Sequence, residues 1–511
     1  MSRPRVVIVG AGFAGLAAAK ALAGKPWYRA RVDVTVVDCR NHHVFTPFLY
    51  QVATALLEPS GTAQPVRALL RKLPNIDVRL AQVTGLNLTL RRVETDRGPV
   101  AYDYLILAAG AVNDYFANPR IAGRSLALND LDEALTLRNH ILGCFEAARW
   151  AAGDPARRAR LLTFAVVGGG PTGVEFSAAL AVLVKELTGR GFPGIGAAEP
   201  RIVLVEASAA PLGSFAADLR EAAAAGLRAR GVEIRSGAEV TDVDEDGLTM
   251  AGGDRIDAVT VVWAAGVRAN ALAAALPVTG SHGRVVVDPT LQIPRHPEIF
   301  VVGDMAQIPG RAGPLPMVAQ VAIQSGRRAA RSVLALCAGG KARRFRYRGL
   351  GAMATVGRGD AVAQIGQLHL SGLTGWLAWL GVHIARTAGP EAKASVILGS
   401  VRGFIFGVRP VQIITGPGQR ASVRPELAGT ATGPARDPRS PARAGLPSVN
   451  VGNANDFGRI AALSWWTQDL PGRRPAPGPS PGSLKRLSTR MTRLRHAAFG
   501  IKSQAKDNYS P

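Results

Sequence analysis

Unbroken apolar runs, not alternating ones, mark the N-terminal part of this chain. Val6-Val7-Ile8-Val9, Val34-Thr35-Val36-Val37 and Phe164-Ala165-Val166-Val167 are short and rich in β-branched residues. Such runs predict strands buried on both faces, as in a parallel sheet covered by helices. Further strands are expected at 102–110, 201–206, 261–266 and 299–304, each ending in a glycine or a carboxylate. Ala-rich stretches after Gly15 and Gly173 predict helices, and 115–160 reads as mostly helical. Strands and helices thus alternate as in a doubly wound α/β domain, and they do so twice.

From about Arg343 the texture changes. The apolar run 369–384 contains Trp376, Leu377, Trp379, Leu380 and Ile384, and is too short for a membrane span. A second apolar stretch, 396–415, carries Arg402 and Arg409 inside it. Two such segments fit helices lying in a membrane interface, or an amphipathic pair that caps the protein or makes a dimer. Beyond Gly416 the chain is rich in Pro, Gly, Ser and Arg, a composition expected to be disordered. Within that tail Leu484, Leu487, Met491, Leu494 and Ala498 recur at helical spacing among Lys485, Arg486, Arg490, Arg493 and Arg495. A basic amphipathic helix on anionic lipid and a solvated tail fit that pattern equally.

The turns after Val9 and Val167 share one spacing. Gly10-Ala11-Gly12-Phe13-Ala14-Gly15 and Gly168-Gly169-Gly170-Pro171-Thr172-Gly173 both read G-x-G-x-x-G. With a strand before and a helix after, this is a dinucleotide fingerprint. Its first glycine makes the turn, its second admits the pyrophosphate, and its third lets helix pack on strand. The phosphates then face unpaired N–H groups at a helix N-terminus. Asp38 ends the next strand about 20 residues on, where a Rossmann unit places a carboxylate on the ribose. Glu206 takes that place in the second unit, displaced by the Gly/Pro-rich loop 191–200. Ala207 and Ser208 follow it, with no adjacent arginine for a 2′-phosphate, which favours NADH over NADPH. The strand ending at Gly303-Asp304 returns the chain to the first unit and places Asp304 to reach the far end of the first cofactor. Two fingerprints on one chain suggest electron transfer between two bound dinucleotides.

The formal charge of +24 on 511 residues changes the picture of partners. No nucleic-acid module and no metal-ligand spacing accompany it, so an anionic membrane surface is the expected partner, with no nucleic acid and no metal. Cys39, Cys144 and Cys337 lie far apart, which excludes a disulfide framework or a C-x-x-C redox pair and fits a reducing compartment. A strand within the first residues leaves no room for a signal peptide's apolar core, so the cytoplasmic side is expected.

Together these motifs resemble the two-dinucleotide-binding-domain flavoproteins, and in detail the type II NADH dehydrogenases, single-subunit NADH:quinone oxidoreductases. The resemblance covers residues 5–415. It rests on His42-His43-Val44-Phe45-Thr46-Pro47-Phe48-Leu49-Tyr50-Gln51-Val52-Ala53, on 166–175, on Ala319-Gln320-Val321-Ala322-Ile323-Gln324-Ser325-Gly326, and on 351–358 with the Trp-rich run after it. It implies FAD on the first fingerprint, with Asp38, Thr46, Pro47, Val83, Ala109, Gly110, Gly303, Asp304 and Ala319. It implies NADH on the second, with Glu206, Ala265 and Gly266. Gln320 and Gln324 would line a quinone pocket on the flavin's other side. Glu175 would lie near flavin and nicotinamide as a catalytic residue with Gln320 and Gln324; a helix N-terminal acid is the alternative reading. The reaction implied is hydride transfer from NADH to FAD, then reduction of a membrane quinone in the respiratory chain without proton pumping. The site implied is the cytoplasmic face of the inner membrane, peripherally bound, with a possible homodimer through the C-terminal region. The departure is Thr387-Ala388-Gly389-Pro390, which interrupts the anchor region.

The expected domains are an FAD-binding part at 1–115, a helical connection at 116–160, and an NADH-binding domain at 161–280. The FAD-binding return follows at 281–345, then a membrane-associating region at 346–415 and a tail at 416–511. Disulfide and sulfide:quinone reductases need paired cysteines and are excluded on that ground. A ferredoxin- or rubredoxin-type reductase and a slow-turnover membrane redox sensor share the cofactors and stay open at this point.

Overall fold

The computed structural model describes residues 3–23, 31–311, 313–386, 393 and 412–415. The apolar stretch expected at 396–415 lies outside these residues except for its last four, as do the Thr387-Ala388-Gly389-Pro390 break, the expected tail and its basic amphipathic segment.

The first unit opens with strand β1 (Arg5–Val9), helix α1 (Phe13–Ala23) and strand β2 (Asp33–Asp38). A short helix α2 (Leu49–Ala53) and strands β3 (Ile76–Leu80) and β4 (Tyr104–Leu107) follow. Val6 to Val9 of β1 are buried because the strand is flanked on both edges and covered on both faces. The chain then passes through β5 (Ala111–Asn113) and the long helix α3 (Leu131–Trp150). Asp130 and Glu133 form a reciprocal capping box that starts α3.

The second unit repeats the plan. Strand β6 (Thr163–Val167) leads to helix α4 (Pro171–Glu186), then β7 (Arg201–Glu206), α5 (Ala217–Ala229), β8 (Val232–Ser236) and β9 (Thr260–Trp263). Its sheet has the order β8-β7-β6-β9, all parallel, with Leu126–Ala127 added at the β9 edge. Strand β10 (Val267–Ala269) pairs antiparallel with β5 and leads back out of the unit.

The return strand β11 (His296–Val301) pairs parallel with β4, giving the order β3-β2-β1-β4-β11 in the first sheet, with Gln292–Ile293 added antiparallel at the β11 edge. Helix α6 (Ala319–Leu336) then lies on α1 so closely that a Cβ on Gly326 would strike the Ala14 carbonyl. A three-stranded antiparallel sheet follows: β12 (Ala352–Gly357), β13 (Asp360–Ile365) and β14 (Leu368–Leu370). It packs on α4 and α5 of the second unit, and helix α7 (Gly372–Arg386) covers it. One face of the apolar run 369–384 is thus explained by packing: Trp379 is buried and Trp376, Leu380 and Ile384 are partly buried against the core, while Leu373, Leu377 and Val382 face outward. No helix among the described residues is long and apolar enough to cross a membrane. Residues 412–415 return to the second unit, where Thr415 exchanges hydrogen bonds with Asn139 on α3.

Candidate active site

Both fingerprints sit where adjacent parallel strands end. In the first sheet Val9 is in register with Val37 and Leu107, and Leu107 with Val301. The Gly10 turn, Asp38, Ala109-Gly110 and Gly303-Asp304 therefore leave the carboxyl edge side by side, the usual place for a ligand in an open α/β sheet. Gly10 has φ +96° and lies against the Ala108 carbonyl, and a Cβ on Gly15 would strike the Gly10 carbonyl. Around Gly12 a Cβ would meet nothing, which leaves an open approach to the start of α1.

Asp38 accepts hydrogen bonds from the Ala11 amide (2.6 Å) and the Arg40 amide (2.7 Å), fixing its carboxylate beside the turn. His43 donates from Nδ1 to the Ala11 carbonyl at 3.0 Å, and burial lowers its pKa, so the ring is neutral at pH 7. Phe13 packs edge-on against both His43 and Phe45. Thr46 and Pro47 form the single turn before α2, and Val83 starts a separate short strand. The Ala109 amide points at the Met305 sulfur (3.2 Å). Asp304 is the most telling group here. Its Oδ1 is buried with no hydrogen-bond partner, and burial lifts its pKa to about 6 against the pull of Arg284. Buried polar atoms are nearly always satisfied, so this one marks a place for a ligand donor.

The second cradle copies the first. Val167 is in register with Val205 and Trp263, so Gly168, Glu206 and Ala265-Gly266 also emerge side by side. Gly168 has φ +106° against the Ala264 carbonyl, and Gly173 abuts the Gly168 carbonyl. Gly170 caps α4, with Pro171 and Thr172 in its first turn. Glu206 accepts from the Gly169 amide and from both the amide and hydroxyl of Ser208. Ser208 thus holds the carboxylate beside the glycine turn.

Glu175 is not a first-turn acid. The first turn of α4 contains none, and Glu175 is buried beneath β12. Its Oε1 accepts from the Thr355 amide at 3.1 Å, and burial outweighs that bond, raising its pKa to about 8. Thr355 Oγ1 lies 3.0 Å from the Tyr50 hydroxyl, which accepts from Gln51 Nε2 at 3.0 Å. One polar chain thus joins α2, β12 and α4. Beside it the rings of Phe45, Phe48, Trp379 and His383 pack in sequence, the first three tilted and Trp379 stacked on His383 with centroids 4.4 Å apart. Sequence reasoning missed Thr355 as the partner of Glu175, and Tyr50 and His383 as members of the polar chain and ring cluster around it. The only signal was the aromatic density of 45–50 and of 376–379.

Gln320 and Gln324 sit one turn apart at the start of α6, after Ala319. The Gln320 amide donates to the Gly351 carbonyl (2.8 Å) and accepts from the Leu350 amide (3.0 Å). Gln324 makes the same pair of bonds to the Arg348 backbone. Both side chains are thereby committed to holding the segment 348–351. Cys39, Cys144 and Cys337 are all free.

Two Rossmann units, each with a nucleotide cradle, and a buried acid define a pyridine-nucleotide flavoprotein reductase. A family model described as pyridine nucleotide-disulphide oxidoreductase matches residues 4–326. The type II NADH:quinone oxidoreductase Ndh of Mycobacterium tuberculosis is 41% identical over 441 residues, covering 83% of this chain and 93% of its own. NdhA of the same organism is 39% identical, covering 81% and 90%. The structure of NDH2 from Plasmodium falciparum in complex with NADH superposes with a TM-score of 0.74 at 18% identity, covering 80% of this chain and all of that one. The chain belongs to the pyridine nucleotide-disulphide oxidoreductase family and, within it, to the type II NADH:quinone oxidoreductases.

Proposed function

We propose that this chain oxidises NADH and reduces a membrane quinone by way of bound FAD, as a respiratory enzyme that pumps no protons. The observation that carries this reading is the pair of nucleotide cradles on one chain, the first with the partnerless Asp304 oxygen at its edge. FAD, when bound, supplies the two-electron relay between nicotinamide and quinone. The residues present fit it. The Gly10–Gly15 turn and the start of α1 would offer amides to its pyrophosphate, Asp38 would hold its ribose, and Asp304 Oδ1 would accept from a hydroxyl of its other half. Gly168, Gly170 and Gly173 would do the same for NADH, with Glu206 on the adenosine ribose and Ala265-Gly266 along the other half.

Glu175 supplies the proton chemistry in this reading. With a pKa of about 8 its carboxyl is mostly protonated at pH 7. Oε1 takes the Thr355 amide, which would leave Oε2 to carry the proton. Gln320 and Gln324 would act on quinone by fixing the 348–351 wall. We place the FAD-binding domain at 1–115 and 281–345, and the NADH-binding domain at 161–280, inserted in it.

Attachment is proposed to be peripheral, on the cytoplasmic face of the inner membrane. Support comes from the net charge of +24 and from the exposed Leu350, Leu368, Leu373, Leu377 and Val382 around α7. The C-terminal region is proposed to pair two copies. Purified protein should oxidise NADH in the presence of a soluble quinone, with flavin absorbance that bleaches on NADH and returns on quinone. Flavin-bearing protein that reduces only an added iron–sulfur protein would overturn the quinone assignment.

A further inference from the structure

The loop between β5 and the short helix Pro119–Arg124 holds an aromatic residue in an unfavourable place. Phe116 has φ +51° and Ala117 φ +59°, two successive non-glycine residues in the left-handed region. For an aromatic residue that is a genuine outlier. Strain of this sort persists only where the surroundings over-determine it, and it gathers at functional sites. Here the surroundings do so on every side. The Phe116 amide donates to Asp114 Oδ1 (3.0 Å), and the Asp114 amide donates to the Gly266 carbonyl (3.0 Å). The Trp263 indole donates to the Asp114 carbonyl (2.8 Å), and Asn118 caps the helix that follows.

Burial does not explain this arrangement, because Phe116 remains 60% exposed. Its ring meets Trp263 edge-on at 6.1 Å, and its tip lies 3.7 Å from where a Cβ on Gly266 would be. Gly266 lies just past the carboxyl end of β9, beside the Gly168 turn. Glu206 lies on the other side of that turn, at the end of β7. A dinucleotide whose adenosine ribose meets Glu206 and whose pyrophosphate crosses the Gly168 turn therefore runs its nicotinamide riboside half past β9.

We propose that Phe116 is a positioning residue for NADH: its exposed ring walls the β9 side of the cleft, and the strained loop holds it in place before the nucleotide arrives. This rests on the assignment of the second fingerprint to NADH. A planar apolar wall next to a phosphate-binding turn suits an aromatic ring and its ribose. The pairing of β5 with β10 ties the loop to the strand leaving β9, so the wall moves with the cleft it serves.

The test uses the FAD-loaded full chain. Phe116→Ala should raise the Kd and KM for NADH roughly fivefold to tenfold, as loss of one aromatic contact to a nucleotide ring does. FAD content and the KM for quinone should stay at the parent value, and Phe116→Tyr should restore NADH affinity to within about twofold, since it keeps the ring. A second measurement does not depend on the alanine variant folding well. In a Phe116→Cys variant, NADH should slow maleimide labelling of the peptide containing position 116, while labelling at Cys39 serves as the internal comparison. An NADH affinity unchanged by Phe116→Ala, or labelling at 116 indifferent to NADH, overturns the proposal. If the parent itself fails to bind NADH, it is the assignment of the second fingerprint that falls.

Discussion

Replacing Glu175 by glutamine should stabilise the protein, and by more as the pH rises. The carboxyl is 8% exposed, and burial lifts its pKa from 4.5 to about 8. In the unfolded chain it ionises above pH 4.5, whereas in the folded protein it keeps its proton to about pH 8. Folding therefore takes up a proton in that window. Stability contributed by this group is intact below pH 4.5, falls as pH rises toward 8, and is level above. At about 1.4 kcal/mol per pH unit, the cost at pH 7 reaches about 3 kcal/mol. Glutamine keeps an oxygen for the Thr355 amide and carries no charge, so it escapes that cost. Thermal unfolding of parent and Glu175→Gln, followed from pH 5 to pH 8.5 with saturating FAD, reads the difference directly. The two Tm values should nearly coincide at pH 5. By pH 8 the variant should melt higher by roughly 5 °C or more. A gap that stays constant, or one that closes with rising pH, would refute the idea that this acid is held neutral by burial.

Other substitutions separate the two cradles. Gly168→Ala drives a methyl into the Ala264 carbonyl, so NADH affinity should fall at least about tenfold while the protein stays yellow; Gly10→Ala should yield protein without flavin. Comparing flavin absorbance with nucleotide titration distinguishes them. Glu206→Arg removes the ribose acceptor that Ser208 holds and supplies a cation, so the ratio of NADH to NADPH turnover should drop; an unchanged ratio refutes the ribose role. Gln320→Leu breaks two bonds to the 350–351 backbone, so quinone reduction should slow while stopped-flow reduction of flavin by NADH persists. Equal loss of both half-reactions would make that glutamine purely structural.

The two cradles were legible in sequence because their strands are buried on both faces and read as unbroken apolar runs. The place of Glu206 at a strand end beside the glycine turn was legible despite the lengthened loop, because a carboxylate ending an apolar run is a plain signal. The Gly303-Asp304 return was legible for the same reason. Glu175 was harder. Its position on α4 suggests a dipole-stabilised acid, yet β12, distant in the chain, lies over it and takes it out of water. Proximity of this sort leaves no local signature, and the same holds for the Tyr50–Thr355 bond. The resemblance put the glutamines at 320 and 324 on a pocket, and the bonds of their amides to the backbone at 348–351 left no trace in the sequence. Nor does a strained Phe116 leave any trace in hydrophobic periodicity.

The most direct test of the two-cradle account is binding stoichiometry on one preparation of the full chain. Extracted flavin should amount to one FAD per polypeptide, and calorimetric titration of that holoprotein should add one NADH analogue without releasing FAD. Protein that binds a single nucleotide in total, with the second displacing the first, would contradict it.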